Sequence, residues 1–171
     1  MAVTQQFARI SGTELDACRA SVETLDLLCS FDLRPPSDHL DLDWAPEGLL
    51  RSSEIAGVDA RVAAALRRSL DGDGEVNPAY RHQPDTIWGH PVTALAPYAV
   101  ADVSALLGEL EPQAVLAALP ADPGEARTRI GRSVESLPGH PRGYLEPHFA
   151  ALLAFYRDAA AQGLAVVLWR D

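Results

Sequence analysis

The end of the chain constrains it most. Residues 164–169, Leu-Ala-Val-Val-Leu-Trp, are six consecutive apolar residues. A strand with one wet face alternates polar and apolar, so an unbroken run of this length reads as a central strand covered on both faces. It follows a helix whose stripe is Phe149, Leu152, Leu153, Tyr156 and Ala160, with Pro147 expected at its first turn and Gly163 as its C-terminal cap. A doubly covered strand needs partner strands and two layers of helix. Residues 3–10, with Val3, Phe7 and Ile10, supply the obvious partner. The expected fold is α+β: a single compact domain over residues 1–171, with a small sheet that includes both terminal strands and packs against several helices.

The helices follow from spacing and caps. Ser11-Gly12-Thr13-Glu14 is a capping-box pattern. It predicts one helix over 11–28 with Leu15, Cys18, Val22, Leu25 and Cys29 on one face. Residues 38–44 alternate. If they are extended, His39, Asp41 and Asp43 share one face and Leu40, Leu42 and Trp44 the other. Pro46 suits the first turn of a short helix to about residue 54, and Val62, Leu66 and Leu70 mark the next, stopped by Asp71-Gly72-Asp73-Gly74. Pro97 and Pro112 sit where two further helices begin, and a short one is expected near 125–133. Residues 75–95 are the least regular.

Composition removes whole classes of chemistry. All fourteen basic residues are arginine. Without lysine there is no Schiff-base nucleophile and no Walker lysine. A net charge of −10 opposes binding to a phosphate backbone, so nucleic acid is not an expected partner. The apolar runs are too short to span a bilayer, and residues 1–7 lack the basic, then apolar, pattern of a signal peptide. A cytoplasmic location is expected, with no membrane association. Cys18 and Cys29 are too few and too isolated for a disulfide framework or a four-cysteine zinc site and read as buried thiols. No H-E-x-x-H, G-x-S-x-G, G-x-G-x-x-G or C-x-x-C occurs, and no cofactor or metal is called for.

The acid is unevenly spread. Residues 1–60 hold eleven acidic side chains and four arginines, a balance of −7 out of the total −10. Asp38, Asp41, Asp43, Trp44 and Glu47 are therefore a candidate acidic interaction face for a basic protein partner. A solvated acidic surface accounts for the same residues. The irregular loop offers His82, Asp85, Trp88, His90 and Tyr98 as candidate ligand-binding residues, since functional groups concentrate on loops. Structural use of Trp88 and His90 is the alternative. His140, Tyr144, Glu146 and His148 flank the last helix start, where helix-end electrostatics already explains Glu146.

Several segments together resemble the bacterial YfbM-like family, a domain of unknown function. They are Phe7-Ala8-Arg9-Ile10-Ser11 with Glu14-Leu15, then Leu40-Asp41-Leu42-Asp43-Trp44, then Gly89-His90-Pro91 with Leu95, Pro97 and Val100. Phe155-Tyr156, Ala159-Ala160 and Gly163 complete the set. The resemblance runs nearly end to end and implies an α+β fold but no activity. The chain departs from it at Trp44-Ala45-Pro46-Glu47-Gly48, where the family carries two histidines, and at Ala96 and Tyr98-Ala99, where it carries a hydroxyl cap and acids.

The sequence thus favours a non-catalytic interaction domain with an acidic face. A small-ligand-binding protein or enzyme using residues 80–98 is the alternative. A structural role, with exposed apolar helix faces pairing two copies into a homo-oligomer, is the third.

Overall fold

Five strands run through the computed structural model, which describes residues 4–83 and 90–171. They are β1 (Gln5–Ile10), β2 (His39–Asp41), β3 (Gly74–Glu75), β4 (Thr93–Leu95) and β5 (Ala165–Arg170). Together they make one antiparallel sheet in the order β2-β1-β5-β4-β3. The apolar run at the chain end is the middle strand, and it pairs along its full length with β1, from Gln5 opposite Arg170 to Ile10 opposite Ala165.

Alternate residues of β5 feed two cores. Val166 and Leu168 join Phe7 and Leu95 on one face. Against that face pack α3 (Ala45–Ala56), α4 (Ala60–Asp71), α5 (Pro97–Leu107), α6 (Pro112–Ala117), α7 (Pro123–Ile130) and α8 (Pro141–Ala161). Ala165, Val167 and Trp169 join Ala8, Ile10 and Ala94 on the other face, under α1 (Gly12–Ala20) and α2 (Val22–Cys29). This is an α+β domain with its central strand covered on both sides. Tyr156 on α8 is fully buried, and its hydroxyl donates to the Ser69 carbonyl of α4 at 2.7 Å, tying the two helices together. Among the described residues no helix is long and apolar enough to cross a membrane.

Proline and side-chain caps set most boundaries. Seven short or long helical segments carry a proline in their first two positions, including Pro97, Pro112 and Pro141. There the missing N–H costs nothing, because it would have no intrahelical partner. The capping box forms as its spacing predicts: Ser11 Oγ accepts from Glu14 N at 3.1 Å and Glu14 Oε2 from Ser11 N at 2.7 Å. Gly163, at φ +64°, closes α8, with Leu164 N donating to Ala159 O and Gly163 N to Ala160 O.

Three expectations are corrected. The helix over 11–28 is two helices, because Ser21 is extended (φ −135°) and its hydroxyl accepts from Thr24 N at 3.1 Å. A serine that captures a backbone N–H ends one helix and starts another. The alternation over 38–44 holds only for His39–Asp41. Asp41 Oδ1 accepts from Asp43 N at 2.6 Å, and Asp43 turns left-handed at φ +50°, so it leaves the face of His39 and Asp41 and Trp44 emerges at the surface. Finally, α8 begins at Pro141, six residues before Pro147, capped by His140 Nδ1 accepting from Arg142 N at 3.1 Å. Pro147 rides inside the helix because the acceptor it orphans, the carbonyl of exposed Gly143, faces water.

Candidate functional site

Where β1 starts and β5 ends, a cleft of about 400 Å³ opens toward α3. The sheet register builds its floor. Gln5 and Arg170 are directly opposite and so project to the same face, the one covered by α3 to α8. Gln5 also anchors the rim: its N–H donates to Asp43 O at 3.1 Å, and its carbonyl accepts from Leu42 N at 2.9 Å. These bonds staple the turn before α3 to the sheet.

The turn is held in a conformation that a non-glycine residue adopts at a cost of about 1–2 kcal/mol. Tyr144 of α8 fixes it from outside. Its hydroxyl donates to Asp43 Oδ2 at 3.0 Å and accepts from Trp44 N at 3.1 Å. Burial, reinforced by the donation to Asp43, pushes the phenol up to about 12, so it stays a donor throughout the working range. Trp44 is left 42% exposed and lines the cleft together with Glu47 on the first turn of α3.

The far wall comes from the turn Arg132–Val134 after Gly131. It packs beside α3 at Gly48, whose missing side chain makes room for Leu145 of α8. A Cβ there would lie 2.7 Å from Leu145 Cδ2 and 3.5 Å from Ser133 Oγ. Ser133 Oγ is buried without a hydrogen-bond partner, and Ser136 lies beside it at the cleft. His90 completes the rim. Arg170 Nη1 lies 3.3 Å from His90 Nδ1, and since a guanidinium only donates, that nitrogen accepts and the neutral ring carries its proton on Nε2. Partial burial, then the Arg170 charge, holds the imidazole below its ordinary value.

The two candidate sets divide across this geometry. Asp43, Trp44 and Glu47 of the acidic segment and His90 of the loop line the one cleft. Asp38 is elsewhere and internal: Arg9 Nε reaches its Oδ1 at 3.0 Å and Arg34 Nη2 its Oδ2 at 2.5 Å. Asp41 is exposed on the edge strand. His82 ends an exposed 3₁₀ turn, and Tyr98 stands 71% exposed on the first turn of α5. Neither meets His90 in the cleft. Asp85 and Trp88 lie outside the described residues. Tyr144 enters as the clamp on the turn. Gln5, Arg132 and Arg170 carried no signal in the sequence, because only the sheet register and the approach of α3 assemble them.

His90 and Arg170 also border a second cleft, of about 270 Å³, which opens on the α1–α2 side with Phe31, Tyr80 and Trp169 in its lining. Cys29 is there too, but burial pushes its thiol up to about 12, and Cys18 to about 11. Both cysteines are free and buried, and neither is poised as a thiolate nucleophile. Among the described residues no group of three or more His, Cys, Asp or Glu is arranged to hold a metal ion.

No protein-family model and no curated protein matches the chain. Its fold is YfbM-like. The crystal structure of YfbM from Escherichia coli, described as a protein of unknown function, is similar over 98% of this chain and 99% of that one, with a TM-score of 0.59 at 17% identity. At that identity the likeness shows the fold alone.

Proposed function

We propose that the chain is a small-ligand-binding protein and that its site is the cleft of about 400 Å³ between the end of β5 and the start of α3. One observation carries this reading. An acidic turn and a loop histidine, 46 positions apart between Trp44 and His90, meet in a concavity of ordinary ligand size, together with the end of the central strand. The clamped left-handed Asp43 supports it, since strained backbone held by several side chains concentrates at ligand sites.

The test is a fragment screen read by ¹H–¹⁵N correlation spectra. Hits are expected to move the Trp44 indole and the Arg170 and Gln5 amides together. The Trp44→Ala and Tyr144→Phe variants should weaken those hits, the second by releasing the turn rather than by removing a contact. Hits that leave these resonances still, or their absence altogether, would sink the reading.

A second reading has one observation of its own. Trp44 is 42% exposed and Phe31 41%, with exposed Asp41 and Glu47 in the same region of sequence. Large apolar side chains flanked by acids suit a basic protein partner. It requires binding that weakens with salt and with the paired changes Asp41→Asn and Glu47→Gln. Binding indifferent to both would remove it.

A further inference from the structure

The cleft is lined by charges of both signs, Asp43 and Glu47 with Arg132 and Arg170. The chain has fourteen arginines against twenty-four acids, so an arginine has every opportunity to find a carboxylate. Ten of them do. Arg127 and Arg142 instead donate to backbone carbonyls, of Gly139 and of Leu116 and Leu119. The remaining two, Arg132 and Arg170, have no carboxylate partner among the described residues. They are also the two arginines that line this cleft.

The cleft has its own acids, Asp43 and Glu47, yet neither is in ion-pair contact with either guanidinium. The reason lies in what holds each group. Asp43 is fixed by Tyr144 and by the turn stapled to Gln5. Arg170 is turned toward His90 Nδ1. Charges of both signs therefore line one concavity without pairing with each other. A phosphate or other dianion would meet Asp43 and Glu47, and a simple cation would meet the two guanidiniums. A molecule with one charge of each sign can satisfy both sets, and exposed Trp44, which lines the cleft with Glu47, suits an ammonium.

Resting on the binding reading above, we propose that the cleft takes a small zwitterion, a free amino acid or a dipeptide, with Arg132 and Arg170 holding its carboxylate and Asp43 and Glu47 holding its ammonium beside Trp44. His90, which lines the same cleft and lies against Arg170 through Nδ1, is a further candidate donor to the carboxylate through Nε2. About 400 Å³ accommodates a molecule of this size and excludes little else about its side chain, so charge placement rather than shape does the selecting.

The experiment is calorimetry and tryptophan fluorescence with pools of free amino acids and of dipeptides. Each binder is then compared with its N-acetyl and its C-amide derivative, and inorganic phosphate is a separate arm. The two pools distinguish the sources of the zwitterion. Each derivative deletes one pole and should bind at least about tenfold more weakly. Arg132→Gln and Arg170→Gln should weaken the zwitterion by a similar factor while leaving its C-amide unchanged. Glu47→Gln should do the reverse, weakening the zwitterion and sparing the N-acetyl form. These side chains sit at the surface, and matching thermal melts confirm that the variants fold. Phosphate or the N-acetyl form binding as well as the zwitterion overturns the proposal in favour of a plain anion site. If fragments occupy the cleft but no zwitterion binds, the ligand class falls and the binding site stands. If neither binds, both fall.

Discussion

Asp38 accepts from Arg9 Nε and from Arg34 Nε, both at 3.0 Å, and Arg34 reaches on to Glu14 Oε1 at 3.1 Å. Its side chain is 12% exposed. Burial alone would raise its carboxyl, but the hydrogen bonds and charges of Arg9 and Arg34 outweigh burial and hold it below the ordinary carboxylate range. The folded value is thus lower than the unfolded one. The stabilisation is complete above the unfolded carboxylate value near pH 4 and is lost as pH falls through the folded one. Asp38→Asn should therefore lower unfolding free energy at pH 7 by about 1–3 kcal/mol. The gap from the parent should narrow on going to pH 3. Urea unfolding at the two pH values checks this, and an equal gap at both would mean that the loss is packing rather than charge. His39, next in the chain, adds a term of the same sign. Burial is the main reason its imidazole titrates below its usual value, so stability is also expected to fall as pH drops below about 6.5.

The helices show which boundaries a sequence states and which it conceals. Caps that work through one side chain and one neighbouring N–H are legible, as at Ser11 with Glu14, and so is glycine at a left-handed position, as at Gly163. Ser21 is ambiguous, because the apolar stripe from Leu15 to Cys29 runs straight through it and the stripe is satisfied by two helices as well as by one. Pro147 misleads for a related reason. A proline signals a start where the preceding residues lack helical support, and here His140 and Pro141 had already supplied a better start. Its interior position still has a cost, since it removes one backbone bond and crowds the preceding turn. Pro147→Ala should stabilise the protein by about 1–3 kcal/mol, because alanine restores the bond to the Gly143 carbonyl on an exposed face. A thermal melt that fails to rise would show that α8 needs a bend at this point to follow the sheet.

At the scale of the molecule, the strand pair that organises both cores joins residues separated by nearly the whole chain, Gln5 to Arg170 and Ile10 to Ala165. The apolar run made this legible: a strand with no polar side has to be central, and a central strand needs a partner on each edge, here β1 and β4. The cleft was legible only in pieces. Trp44 and His90 stand out as residue types, whereas Arg132 and Arg170 look like any other arginine until the fold leaves them without carboxylate partners among the described residues, which no spacing reveals. The same topology makes folding depend on residues 165–171 meeting β1, more than 150 positions away in the sequence. Without 165–171, β1 loses its longest partner and β4 its link to the rest of the sheet, and the layers on either face lose the residues they share. Deleting 165–171 should therefore abolish cooperative unfolding altogether, rather than lower its midpoint. Adding those residues back as a separate peptide should restore protected amides in β1 and β4 under hydrogen exchange. A truncated chain that still unfolds in one sharp transition would show that the α3–α8 layer folds without the sheet, and that β5 only docks onto it.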